Sequence, residues 1–208
     1  MRQRSSRWGR QSPRAGTGRG AARTGSARER ILETAGRLFY RDGFHAVGVD
    51  AIIAESGVAK MTLYRHFPSK DALIAAHLER SNGRFWEWLE GALSGLTDPR
   101  ARLLGVFRAL EKLAAAPQCL GCTFQGAAAE FPELAHPGHR AAVAHKRQVL
   151  RRFAAAARDA GLRDPEGLAR QLLLLMDGAW VAARMFGPGN PARGVARAAE
   201  ALIDAHAR

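Results

Sequence analysis

Cysteine and lysine are scarce in this chain. Two cysteines among 208 residues cannot build a disulfide framework, which excludes the small secreted scaffolds that depend on one. Lysine supplies only 4 of the 32 basic residues, a bias we read as the mark of a GC-rich genome rather than of a function. No segment reaches the roughly 18 consecutive apolar residues of a membrane-spanning helix. The basic N-terminus has no apolar segment behind it, so it is not a secretory signal. Strand-like alternation and internal repeats do not appear, nor does a Ser-His-Asp arrangement, a paired-acid site or a phosphate-binding glycine loop. Nothing points to an enzyme or to a cofactor, and a soluble cytoplasmic protein is expected.

What the chain does hold is apolar bulk and positive charge. Hydrophobic residues make up 47%, enough for a sizeable core in one or two domains. The net charge of +13 suggests a polyanionic partner. Its distribution is uneven. Residues 1–26 carry seven arginines and no acid, whereas residues 27–80 carry eight Lys or Arg against seven Asp or Glu. A nucleic-acid site in the second region is therefore identified by where its cations sit, not by bulk charge.

The stretch from Val49 to Lys70 organises the rest. Val49, Ile52 and Ile53 are spaced for one buried helical face. In Ser56-Gly57-Val58, Gly57 suits a left-handed turn that ends this helix and re-aims the chain. A second short helix, from about Ala59 to His66, places Leu63 and Phe67 four apart on its inner face. Lys60, Thr62, Tyr64, Arg65 and His66 occupy its remaining surface. All are potential hydrogen-bond donors and none is acidic, as expected of a helix that lies in a DNA groove. Pro68 disfavours a helical Phe67 and ends it. Ser69 then suits the N-cap of the next helix and Asp71 its first turn, but Lys70 opposes the helix dipole by about 0.3–1 kcal/mol. A DNA phosphate docked there would satisfy both the lysine and the free N–H groups. The alternative is a lysine simply solvated at a helix start.

The run Gly57-Val58-Ala59-Lys60-Met61-Thr62-Leu63-Tyr64-Arg65-His66-Phe67-Pro68-Ser69-Lys70, with Gly43-Phe44 before it, resembles the helix-turn-helix signature of the TetR family of bacterial transcription regulators. The resemblance is dense over residues 27–75 and weaker beyond. It implies an all-α fold, with a three-helix DNA-binding domain at residues 26–75 and a helical ligand-binding and dimerisation domain at 76–208. It also implies a fourth helix whose tilt links ligand to DNA, and a last helix pair that meets its copy across a two-fold axis. One position departs from the pattern. The family usually has Ser or Thr where Ala59 stands, and losing such a cap costs about 0.5–2 kcal/mol.

Along the chain, residues 1–25 are rich in Arg, Ser and Gly and cannot bury enough surface to offset chain entropy, so a disordered basic arm is expected. It reads either as an extra DNA contact or as a plain extension. Ser26 and Glu29 fit a capping box. The first helix then runs to Asp42, with Ile31, Ala35, Leu38 and Phe39 as its apolar stripe. Arg28 stands where it could reach a flanking phosphate. Later helices are expected over about 69–93, 99–115, 124–130, 137–160, 165–186 and 192–207. The 137–160 helix has Val143, Leu150, Phe153 and Ala157 on one face. The 165–186 helix is apolar nearly all round and so must be buried on several sides. Dimerisation is the simplest answer, with Gly178, Ala179, Ala182 and Ala183 allowing close approach.

Cys119-Leu120-Gly121-Cys122 reads as ordinary packing residues, a thiol sensor or part of a metal site, for which His136, His139 and His145 are the near candidates. Phe85, Trp86, Phe107, Phe124, Met176 and Trp180 lie on helices that could surround an apolar ligand cavity. Asp177, inside an apolar helix, either pairs with an arginine across a subunit interface or faces that cavity, since a buried carboxylate needs a partner. Apart from His66, the histidines read as surface or capping groups rather than catalysts. The expectation is a homodimeric, ligand-responsive repressor on a palindromic operator of double-stranded DNA, hence nucleoid-associated, with a small hydrophobic effector and no membrane or metal partner. Arg28, Lys60, Thr62, Tyr64, His66 and Lys70 are its DNA contacts. A helical small-molecule or thiol-redox sensor without specific DNA binding, supported by the missing cap at Ala59, is the alternative.

Overall fold

Local chemistry sets most of the helix ends. In the computed structural model, which describes residues 25–207, helix α1 spans Ala27–Asp42 and opens on the expected capping box. The Ser26 N–H donates to Glu29 Oε2 at 2.7 Å, and the Glu29 N–H donates to Ser26 Oγ at 3.2 Å. Helix α2 spans Val49–Ser56 and stops at Gly57, whose φ of 66° and ψ of 28° lie in the left-handed region. Helix α3 spans Lys60–His66; no side chain caps it at Ala59, but the Ala59 carbonyl accepts from the Thr62 and Leu63 N–H groups. Helix α4 spans Lys70–Ala92, with Ser69 Oγ accepting from the Ala72 N–H at 3.0 Å.

Apolar faces of these elements close a first core. Ile31, Ala35, Phe39, Ile52, Leu63, Leu73 and Ile74 are all essentially inaccessible to water, each large aliphatic one contributing about 1.5–3 kcal/mol by its burial. This core also takes in Phe124, Ala127, Phe131 and Ala142 from farther along the chain. The head formed by α1–α3 is thus sealed by residues remote in sequence.

The body holds α5 (Pro99–Ala114), α6 (Thr123–Glu130), α7 (Pro137–Asp159), α8 (Pro165–Phe186) and α9 (Val195–Ala205). Helix α4 starts in the head, where Leu73 is buried, and ends in the body, where Leu89 is. Asp98, Ser69 and Asp164 cap their helices with side-chain oxygens. Among the described residues there is no strand, and no helix is long and apolar enough to cross a membrane.

Three expectations need correction. Pro191–Gly194 forms a 3-10 turn, and α9 begins only at Val195. Buried Asn190 governs this junction: its Nδ2 donates to Ala114 O at 2.8 Å and its Oδ1 accepts from the Ala192 N–H at 2.9 Å. On α7, Phe153 and Ala157 face the core as expected, but Val143 and Leu150 lie on the flank, and the inner face centres on Ala142, His145 and Val149. Apolar spacing could not find that phase because a histidine occupies its middle. On α8, Ala179 and Ala183 turn into their own chain and are buried, Ala182 is half-buried, and Gly178 is exposed. The opposite side of α8 leaves Leu174, Val181, Met185 and Phe186 open, at 72%, 45%, 69% and 62% of their full exposure.

Candidate DNA-binding and effector sites

Helix α3 is held by Leu63 and Phe67, both buried, and turns Lys60, Met61, Tyr64 and Arg65 outward. Lys60 Nζ stands 3.5 Å from Asp50 Oδ1, with both side chains largely in water, so the pair contributes little and leaves the cation available. Thr62 and His66 are half-buried on the flanks. The Arg28 guanidinium lies over the Phe67 ring at 5.3 Å, and the His66 ring neighbours the same ring at 6.4 Å. The start of α1 and the end of α3 therefore meet at Phe67. Lys70 Nζ reaches the His45 carbonyl at 3.4 Å. Met61, which sequence reasoning passed over, is 79% exposed. It is the one large apolar side chain of α3 turned away from the core, and apolar groups in a major groove contact the thymine methyl.

A cavity of about 550 Å³ lies where head meets body. Helix α1 supplies one wall through Leu32, Gly36 and Tyr40, and α4 supplies another through His77, Arg80, Arg84 and Trp88. Phe124, His145 and Trp180 close it from the body side. The Tyr40 hydroxyl donates to Gly121 O at 3.0 Å and accepts from the Leu120 N–H at 2.7 Å, pinning the Cys119–Cys122 segment to α1. Burial pushes the Tyr40 pKa up to about 12, so the phenol stays protonated. Both cysteines are free thiols, Cys119 buried and Cys122 partly so, and both line the cavity. Among the described residues no group of three or more His, Cys, Asp or Glu is placed to hold a metal ion.

Two histidines behave as core residues. Burial holds the His77 pKa down at about 4, with Arg84 and Arg80 adding to the effect. Burial, then Lys146, holds His145 at about 3. His145 stacks on Phe124 at 3.7 Å, and its Nδ1–H donates to Asn82 Oδ1 at 2.7 Å. That oxygen also accepts from Trp86 Nε1 at 3.1 Å. Gly36 makes room for His77: a Cβ at position 36 would stand 2.8 Å from its Nδ1.

The residues expected to line one cavity are dispersed. Phe124 and Trp180 border the large cavity. Trp86 and Met176 border a separate one of about 220 Å³, where the Arg152 guanidinium covers the Trp86 ring at 4.6 Å. Phe107 is fully buried against Phe153, at a ring distance of 5.8 Å, and lines neither. Asp177 pairs with Lys146 on α7 of its own chain, which replaces both partners foreseen for it. Arg80, Arg84 and Tyr40 were missed. The signal for the two arginines was the spacing of His77, Arg80, Ser81 and Arg84, a second stripe on α4 that is polar; Tyr40, on α1, carried none.

A family model described as bacterial regulatory proteins, tetR family, matches residues 31–77. An uncharacterised helix-turn-helix transcriptional regulator of Bacillus subtilis is 38% identical over 76 residues, 36% of this chain and 40% of that protein. The chain thus matches well under half the length of this curated relative. Solved structures extend the likeness to the whole fold. A tetR-type transcriptional regulator of Streptomyces avermitilis is 37% identical with a TM-score of 0.79, covering 88% of this chain and 98% of that one. A TetR-family transcriptional regulator of Streptomyces coelicolor is 34% identical with a TM-score of 0.83, covering 88% and 96%. With its helix-turn-helix matched in sequence and its body matched in structure, the chain belongs to the TetR family of bacterial transcription regulators, DNA-binding proteins rather than enzymes.

Proposed function

We propose that the chain is a ligand-responsive repressor that binds a palindromic operator as a homodimer and leaves it when a small effector enters the junction cavity. The observation that carries this is the sharing of α1: the helix that supports α3 is also a wall of the cavity. An effector that prefers one setting of α1 shifts the population of heads able to fit DNA, and only that difference in affinity drives release. The division into a DNA-binding part at 26–75 and a ligand and dimer part at 76–208 belongs to this reading. Residues 1–24 and 208, and with them the basic arm, lie outside the described residues.

In this reading Lys60, His66, Lys70 and Arg28 contact phosphates, while Thr62 and Tyr64 reach bases or phosphates. Two-fold symmetry places the half-sites on one side of the duplex, about one helical turn apart or a multiple of it. Selection of bound duplexes from a random pool should recover such a palindrome. Tyr64→Ala should weaken its binding by at least about tenfold, the scale of one good base contact, with dimer mass unchanged. Recovery of no sequence, or unchanged affinity in the variant, refutes the respective part.

The dimer is supported by the exposed stripe on α8. Leu174, Gly178, Val181 and Met185 follow i, i+4, i+7, i+11, and such apolar stripes mark protein interfaces. Leu174→Glu with Met185→Glu would bury carboxylates without partners. The double variant should raise the dimer dissociation constant by at least about a hundredfold, near 3 kcal/mol, measured by sedimentation equilibrium. A variant that stays dimeric at the same concentrations places the interface elsewhere.

A further inference from the structure

We propose that the junction cavity takes an organic anion with a flat apolar body, its acid group held by Arg80 and Arg84. This rests on the reading of that cavity as the effector site and names the chemistry of the effector.

The cavity lining is of two unlike kinds. Phe85, Trp88, Phe124 and Trp180 offer aromatic surface, which suits a flat apolar body. Arg37, Arg80 and Arg84 bring three guanidiniums against the single carboxylate of Glu33. Arg37 is already paired with Glu55. Among the described residues Arg80 and Arg84 have no salt bridge, although the Arg80 charge is felt at Glu29. Arg80 Nη1 and Thr123 Oγ1 are buried polar atoms with no hydrogen-bond partner, and both residues line this cavity. A guanidinium N–H can only donate, so what completes it is an acceptor. A buried donor left unmatched is destabilising, and a charged acceptor answers it best because charge-assisted hydrogen bonds to arginine are the strong ones. The cavity histidines add no charge at neutral pH, since His77 titrates near 4 and His145 near 3. The aromatic walls alone would also suit a quaternary ammonium, but two unpaired guanidiniums repel one.

The test compares three ligands of one shape: 2-naphthoate, 2-naphthylmethanol and 2-naphthylmethylamine, the last a cation. Each is titrated calorimetrically into the full chain at neutral pH. Naphthoate should bind at least about tenfold more tightly than either, the scale of a charge-assisted contact. Arg80→Gln and Arg84→Gln should each remove most of that advantage, and Arg80→Lys should keep part of it. Melting temperatures establish that the variants are folded. Equal or tighter binding of the alcohol or amine overturns the proposal. So does an acid affinity indifferent to both glutamine variants, or no binding of the acid at millimolar concentration. The acid is then added to the protein on its selected duplex. Binding through the arginines without loss of DNA affinity keeps the anion site and removes the effector reading; binding with release supports both.

Discussion

Lowering the pH from 7 to 4.5 should destabilise the folded chain by on the order of 5 kcal/mol, with His77 and His145 as the principal cause. Both have folded values well below the ordinary 6.5, about 4 and about 3. A histidine with a depressed folded value binds its proton more readily when the chain is unfolded. Stability from such a group is complete above pH 6.5 and is lost as pH falls toward the folded value. The cause is visible around each ring. His77 is wedged between Phe39, Phe44 and the Gly36 backbone, with Ser81 Oγ at 3.5 Å and two guanidiniums nearby. His145 lies flat on Phe124, edge-on to Phe85, beside Lys146. None of these neighbours welcomes a second proton. Denaturant midpoints at intervals from pH 7 to 5 would follow the loss. Ordinary carboxylates titrate below this range, near 4, so the slope isolates the histidines. The pair His77→Asn and His145→Gln should flatten it, after a constant loss of packing. A wild-type slope near zero between pH 6.5 and 5 would show that neither ring is held neutral.

The second large effect is expected at Glu130. Its carboxylate accepts from the Phe44 N–H at 2.9 Å and the His45 N–H at 2.7 Å, and its carbonyl meets His45 Nε2 at 2.8 Å. A carboxylate at the end of α6 is opposed by the helix dipole, so its place there depends on those two amides. They are presented by the turn at Gly43, whose φ of 92° few other residues adopt. A Cβ at Gly43 would also stand 3.0 Å from Glu130 Oε1. Hydrogen bonds to a charged group contribute about 1.5–3 kcal/mol each. Glu130→Ala should therefore destabilise the chain by about 3 kcal/mol, read from urea titration, and Glu130→Gln by less because one acceptor remains. If Glu130 couples body to head, the glutamine variant should also bind effector normally yet respond to it less on DNA. Unchanged stability in the alanine variant would mean that water replaces the carboxylate without loss.

These two sites mark the boundary of what the sequence discloses. Ser26, Gly57 and Ser69 were legible because capping and turning depend on neighbours within four residues. The α3 stretch was legible because its exposed donors and buried apolar pair sit in one dense motif. The Glu130 contact joins residues 86 apart in the chain, and Lys146 finds Asp177 across 31; no local rule selects such partners. Phe107 and Phe124 look alike in sequence, yet one is solid core and the other a cavity wall, because apolar spacing reports an inward direction but not whether the space beyond is filled. The buried histidines were illegible for the opposite reason: they are polar residues in apolar places.

The open stripe on α8 has a consequence for inheritance. If Leu174, Val181 and Met185 join two chains, a copy with a damaged α3 still assembles with intact ones. Symmetric DNA recognition needs both heads, so mixed dimers would be idle, and a head variant made in equal amount alongside the normal protein would idle half of its chains. Damage to the stripe itself would behave oppositely, since a chain unable to pair cannot withdraw a normal partner. Dominance in a merodiploid strain thus separates lesions in α3 from lesions in α8 without purifying either protein.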